Sequence, residues 1–313
     1  MHGAEAMGAA GATPPAGVGS KHDARRRLVA SITELIGSAR EAEWIVEHVE
    51  RQGAVPQANP DRDREAGALA DRRAAGEPLQ YVLGRWAFRS LELLVDPRVL
   101  IPRPETEQVV EVALDELRRT RNGMDAIHPP VCVDLGTGSG AIALSLAVEG
   151  GARHPALQVW ATDRSADALE VAAQNLADLS VVDAGVADRV RFSKGTWFEA
   201  LPADLVGRVD LLVSNPPYVT EAEYPELDPG VRDWEPKSAL VAARGAGGVG
   251  GMSDIEAIVA GAPRWLRWTG ALVVEMAPHQ AYAGVDAARR AGFSEVTIER
   301  DLAGRLRMLV ARR

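Results

Sequence analysis

A single cysteine, Cys132, occurs in the 313 residues, so no intrachain disulfide can form. It sits in the apolar run Val131-Cys132-Val133, where a buried thiol acts as a small hydrophobe. The six histidines are scattered, with no H-E-x-x-H pair and no Cys/His cluster, so no metal site is expected. No apolar run reaches the roughly 20 residues that cross a bilayer, which excludes a membrane helix. The first twenty residues are rich in Ala, Gly and Pro, and Glu5 is their only formally charged side chain. They lack the basic start and apolar core of a secretory signal, so a disordered tail over residues 1–22 of a cytoplasmic protein is expected. Positive charge is also in deficit: 35 Lys and Arg face 44 Asp and Glu, a net charge of -9. Such a chain gains no general attraction to phosphate backbones, which argues against direct nucleic-acid binding and for a protein or small-molecule partner.

What is present organises into segments. From residue 23 to 78 the pattern is helical, with Leu28, Ile32, Leu35 and Ile36 on one stripe and Trp44, Ile45 and Val49 on the next. Residues 79–104 change texture. Trp86, Phe88, Leu91, Leu93 and Val95 approximate alternation and Pro97 supplies a turn, as in a short β-hairpin linking two domains. Residues 105–313 form the remaining domain, opened by a helix over about 106–120. Strand-like runs follow at 131–135, 159–162, 190–193, 209–214, 271–276, 296–299 and 306–311. Helical patterns fall between most of them, notably at 140–149, 166–177, 254–266 and 281–291. Strands alternating with helices give an α/β fold around a mostly parallel sheet covered on both faces. The Gly-rich stretch 243–251 reads as a loop rather than a phosphate cradle, because no Lys-Ser/Thr follows it.

Three constellations carry chemistry. The first is Asp134-Leu135-Gly136-Thr137-Gly138-Ser139-Gly140-Ala141, an apolar strand running through glycines into a helix. Glycine lets the backbone turn sharply and approach a ligand closely. Gly136, Gly138 and Ala141 also satisfy the dinucleotide fingerprint, so a nicotinamide cofactor has to be weighed. The second is Asp163, at the end of the next strand, where a carboxylate can accept both ribose hydroxyls of an adenosine. The third is Asn215-Pro216-Pro217-Tyr218, directly after the 209–214 strand. Two prolines stiffen this loop and remove two backbone donors, leaving carbonyls as acceptors. The Asn215 side-chain oxygen and the Pro216 carbonyl can then take both N–H groups of a planar NH₂, with Tyr218 as its aromatic wall. An amide nitrogen is a poor nucleophile. Two fixed acceptors hold it toward an electrophilic methyl and stabilise positive charge growing on nitrogen. That chemistry favours S-adenosylmethionine over a nicotinamide.

With Gly84-Arg85, Phe88 and Pro102-Arg103-Pro104-Glu105-Thr106-Glu107 added, the sequence resembles the HemK/PrmC family, the peptide chain release factor glutamine N5-methyltransferases. The match runs from about Leu28 to the C-terminus. The resemblance implies a helical N-terminal domain that docks the substrate, a β-hairpin linker, and a seven-stranded Rossmann-like sheet whose last strand is antiparallel. It implies that Gly136, Thr137, Gly138, Ser139, Gly140, Asp163, Trp197 and Asn215 hold S-adenosylmethionine. Asn215, Pro216, Pro217 and Tyr218 receive the substrate glutamine, with Asn215, Pro216 and Tyr218 as the catalytic set. The implied partners are release factors, met by a monomer. Arg103 and Glu107 brace the hairpin and pocket or serve structure alone, while Arg232, Glu235 and Pro236 match a structural stretch. The chain departs from the pattern at Thr196, where an acidic residue is common, at Ala277 for a glycine, and at Leu306 within Gly304–Arg307. Three other readings remain: an adenine N6-methyltransferase, a glutamine methyltransferase of a ribosomal protein, and a non-catalytic cofactor-binding scaffold.

Overall fold

The computed structural model describes residues 18–52, 60–121, 128–243 and 250–313. The chain divides into two compact units, Met1–Leu83 and Gly84–Arg313. The first is helical: Val18–Ile36, Ala39–Gln52, Pro60–Ala74 and the short Leu79–Leu83. Gly37, at φ 75°, ends the first helix, and the Ser38 hydroxyl accepts the Glu41 N–H at 3.3 Å to start the second. Ile32, Ala42, Ile45, Val46, Val49, Ala66, Ala70 and Leu79 form its core. Arg73 donates to Glu41 at 2.6 Å, pinning the second helix to the third.

Two expected boundaries shift. The first helix begins at Val18, inside the segment assigned to a tail, with Gly19 tolerated in its first turn; residues 1–17 lie outside the described residues. Leu79–Leu83 belongs to the helical unit rather than to the hairpin linker, since Leu79 packs in that unit's core.

The second unit opens with the hairpin β1 (Arg85–Phe88) and β2 (Leu91–Leu94). Its sheet contains β3 (Val131–Leu135), β4 (Gln158–Asp163), β5 (Val190–Lys194), β6 (Val209–Ser214), β7 (Leu266–Glu275), β8 (Glu295–Arg300) and β9 (Leu306–Arg312). These seven strands run in the order β5-β4-β3-β6-β7-β9-β8. All neighbours are parallel except β9, which is antiparallel to β7 and β8. The seven-stranded, mostly parallel sheet with an antiparallel last strand is thus the architecture observed.

Residues on one strand alternate between two cores. Cys132, Leu211, Val213, Ala271, Val273, Met308 and Val310 face the helix Pro104–Arg121 and its neighbours. Val133, Leu135, Leu212, Leu272, Val274 and Leu309 face the helices Ser253–Trp265 and Ala281–Arg290. Period-two alternation with both faces apolar is what a covered parallel sheet requires. Two elements differ from expectation. The segment after the glycine loop is an α-turn, Ala141–Ser145, followed by a π-helical turn, Leu146–Gly150. β7 begins at Leu266 instead of 271, because an irregularity between Val209 and Leu211 lets it pair across Gly270.

Among the described residues, no helix is long and apolar enough to cross a membrane, and no group of three or more His, Cys, Asp and Glu could hold a metal.

Candidate active site

Leu135 pairs with Thr162 on one side and Ser214 on the other. The next residues, Gly136, Asp163 and Asn215, therefore leave three adjacent strands side by side at their carboxyl ends. This is where the strand order reverses, the usual crevice for a ligand in an open α/β sheet.

The glycine loop is drawn onto β4 by two bonds to one carbonyl. The Gly136 and Thr137 N–H groups both reach Thr162 O at 2.9 Å. Gly136 and Gly138 have φ of 78° and 56°, a conformation open to glycine without strain. A Cβ on Gly136 would meet the Trp197 ring at 3.4 Å, so the ring lies across the bare α-carbon. Trp197 itself has φ 47°, unusual for a bulky residue and held by the 3₁₀ turn Trp197–Ala200. Asp163 is fixed as well: its Oδ2 accepts the Gly138 N–H at 3.0 Å and its Oδ1 the Ser165 N–H at 2.9 Å. Each oxygen keeps a further lone pair for a hydroxyl.

Gly136, Gly138, Asp163, Trp197, Asn215 and Pro217 line one cavity of about 560 Å³, within the usual range for a cofactor site. Pro97, Arg98, Val99 and Leu100 form another part of its wall, and Thr196 lines it too. Thr137, Ser139 and Gly140 turn elsewhere. The Thr137 hydroxyl donates to Asp134 at 2.6 Å, the Ser139 carbonyl accepts from Asn175 at 2.9 Å, and Gly140 packs on Leu144 and Ala172. Asp134 is fully buried. Burial pushes its carboxyl up to about 7, against the bonds from Thr137 and the Ala143 N–H, and its Oδ1 has no partner. A glycine-cleared loop and a fixed carboxylate on one cavity suit a cofactor with hydroxyl donors, such as S-adenosylmethionine.

The Asn215–Tyr218 loop is anchored at both ends. Asn215 Nδ2 donates to Thr106 Oγ1 at 3.2 Å, and Thr106 Oγ1 donates to Glu275 Oε2 at 2.7 Å. Pro216 is buried, while Pro217 and Tyr218 are half-buried. The Tyr218 carbonyl accepts from Gln280 Nε2 at 3.0 Å, and the same nitrogen bonds Gly250 O at 2.9 Å. Gln280 in turn accepts the Ala277 N–H at 3.0 Å. Burial, then Glu275, push the Tyr218 phenol above its ordinary value; Arg307 and Arg103 oppose them. Burial also pushes Glu275 up to about 7, opposed by its bond from Thr106 and by Arg307.

Among the supporting residues Asn175 gave no signal in the sequence, whereas Glu107, Arg103 and Glu235 were named there for a bracing or structural part. Asn175 accepts the Leu94 N–H at 2.6 Å and donates to Leu94 O and Ser139 O, tying the hairpin to the glycine loop. Glu107 accepts the Arg89 N–H at 3.0 Å at the hairpin turn, where Arg89 has φ 50°. Arg103 donates to the buried Glu235, whose other oxygen takes the Ile101 N–H at 3.0 Å. The Gly-rich stretch is held at its feet, where Asp254 accepts the Ala243 N–H at 2.8 Å; residues 244–249 lie outside the described residues.

A family model described as "Methyltransferase small domain" matches residues 122–226. A release factor glutamine methyltransferase of Bifidobacterium longum is 43% identical over 246 residues, covering 78% of this chain and 79% of that one. A protein of the same name from Chlorobaculum tepidum is 44% identical, over 67% of this chain and 66% of its own. A third, from Salmonella typhimurium, is 37% identical over 87% of this chain and 91% of its own length. Relatives of this identity over two thirds and more of the chain, on a sheet that sets Gly136, Asp163 and Asn215 in one row, leave one assignment: the chain belongs to the release factor glutamine methyltransferase family.

Proposed function

We propose that this chain methylates the side-chain amide nitrogen of a glutamine in the Gly-Gly-Gln motif of a peptide chain release factor. The observation that supports the reading is the row of Gly136, Asp163 and Asn215 at three adjacent strand ends, all lining one cavity. S-adenosylmethionine, when bound, supplies a methyl group on a positively charged sulfur. Gly136 and Gly138 give its backbone contacts, Asp163 accepts ribose hydroxyls, and Trp197 and Asn215 line it. Thr137, Ser139 and Gly140 act through the shape of the loop.

The substrate NH₂ is held by the Asn215 side-chain oxygen and the Pro216 carbonyl, one N–H to each. Pro217 and Tyr218 flank its plane. Both acceptors strengthen as positive charge develops on nitrogen, which lowers the barrier without a strong base. After transfer the nitrogen is acidic and releases its proton readily. The same pocket discriminates by geometry: a planar NH₂ satisfies both acceptors, whereas a hydroxyl leaves one unpaired. No described residue of the helical unit lines the cavity, and this unit is the proposed docking surface for the macromolecule.

Mass spectrometry of release factor incubated with enzyme and S-adenosylmethionine tests the reading. The expected product is a Gly-Gly-Gln peptide heavier by one methyl group, with fragmentation placing it on the glutamine amide. An unmodified release factor, with methyl appearing on adenine in nucleic acid or on a ribosomal protein, would overturn it.

A further inference from the structure

The Asn215 amide has two nearly equal ends, and only the oxygen end can accept an N–H. We infer that Thr106 and Glu275 are positioning residues that fix which end of that amide faces the cavity. The inference rests on the proposed role of Asn215 as an acceptor for the substrate.

The direction follows from donors and acceptors. Glu275 at the end of β7 accepts at Oε2, and the Thr106 hydroxyl has one proton, spent on that oxygen at 2.7 Å. Only lone pairs then remain on Thr106 Oγ1 for its neighbour. At 3.2 Å that neighbour must present N–H, so Nδ2 is held against Thr106 and Oδ1 is turned away to serve the substrate. Turned over, Oδ1 would face a lone pair. Thr106 is 4% exposed and Glu275 1% exposed, so no bulk water replaces either bond. The relay also joins three independent elements: the loop after β6, the first turn of helix Pro104–Arg121, and the end of β7. Helix and sheet thereby hold one terminal torsion that Asn215 could not fix alone.

Single-turnover transfer to a release factor at pH 8 tests this, with cofactor affinity and melting temperature measured alongside. Thr106→Val should slow transfer about 10-fold, the factor equal to one net hydrogen bond, with cofactor affinity within about two-fold. Glu275→Leu should match it, because the freed hydroxyl proton then competes for Oδ1. Thr106→Ser, which keeps the hydroxyl, should recover most of the rate. The deciding measurement is a cycle with Asn215→Ala. If Thr106 acts through Asn215, Thr106→Val adds no further loss once the amide is gone. In the Thr106→Val protein the Asn215 side-chain amide protons should also exchange faster with water, a readout independent of turnover. Equal losses from Thr106→Val with and without Asn215, or no loss at all, overturn the positioning role. In that case a slow Asn215→Ala enzyme still upholds the acceptor reading. Wild-type transfer by Asn215→Ala overturns both.

Discussion

The ion pair between Arg103 and Glu235 gives a sharp test of how the cavity wall is held. Glu235 has 1% of its side chain exposed, while Arg103 has 30%. Burial raises the Glu235 carboxyl above its ordinary 4.5, and Arg103 together with the Ile101 N–H pulls it back. Arg103→Met removes that cation without opening a large cavity. The carboxylate is left buried with one donor, and breaking such a pair typically costs about 3–5 kcal/mol. Here a ceiling exists, because the group can take up a proton. At pH 7 that costs about two and a half pH units at about 1.4 kcal/mol each, or about 3.4 kcal/mol. At pH 5.5 the same route costs only about 1.4 kcal/mol. The sign is that of a carboxyl whose folded pKa lies above the unfolded one: the folded variant holds the proton more tightly and loses stability as pH rises. Urea unfolding of both proteins at pH 5.5 and 7 should show the difference between them growing toward neutrality by at most about 2 kcal/mol, because the raised Glu235 of the wild type carries part of the same slope. Slopes from other buried carboxyls are common to both and cancel. Because Pro97, Arg98, Val99 and Leu100 line the cavity just before Ile101, cofactor affinity should weaken in the variant as well. A stability loss of equal size at the two pH values would refute the buried-pair argument.

Other expectations follow from the same geometry. Asp163→Ala removes a carboxylate that also organises the Gly138 and Ser165 N–H groups, and should weaken S-adenosylmethionine by about 1.5–3 kcal/mol in calorimetry; unchanged affinity would remove it from the site. Gly261→Ala would bring a methyl within 2.3 Å of Phe198, which stacks on Trp265 and follows Trp197. An overpacking cost of about 1–3 kcal/mol and weaker cofactor binding are expected, and an unchanged melting temperature would show that the ring yields freely. Asp134 and Glu275 are both pushed up to about 7 from 3.8 and 4.5, so the folded state binds extra protons between those limits. Stability should therefore fall as pH rises from 5.5 through about 7 and then level off, and Glu275→Gln should flatten part of that slope; a flat wild-type profile below 7 would refute the burial argument.

Much of the fold was legible because strands buried on both faces are apolar throughout and end in glycine, aspartate or asparagine. The runs at 131–135 and 209–214 are β3 and β6 to the residue. The cavity residues Gly136, Asp163 and Asn215 could be named beforehand for the same reason: each closes or directly follows a strand, where side chains meet ligands rather than core, whereas Trp197 was reached only through the family resemblance. What was illegible is tertiary. Thr106 lies 109 residues before Asn215 and 169 before Glu275, and neither spacing carries periodicity. Asn175 reads as one more polar position on a helix, yet it is fully buried and bridges two loops. The early start of β7 was hidden because Leu266-Arg267-Trp268-Thr269 alternates less clearly than the apolar run after Gly270. Local pattern reports which face of an element is buried, and long-range hydrogen bonds decide what it is buried against.

The pairing of Leu135 with both Thr162 and Ser214 makes the sheet a ruler. Asp163 and Asn215 leave strands two spacings apart, roughly 10 Å at about 4.8 Å per spacing. That interval is written in backbone hydrogen bonds, so no substitution in either loop resets it. On the proposed reading, changes after β4 would retune how the cofactor is gripped and changes after β6 would alter which nitrogen is accepted, each without disturbing the gap between the two strand ends. Drift in this chain is thereby channelled into choice of substrate, while reach stays constant.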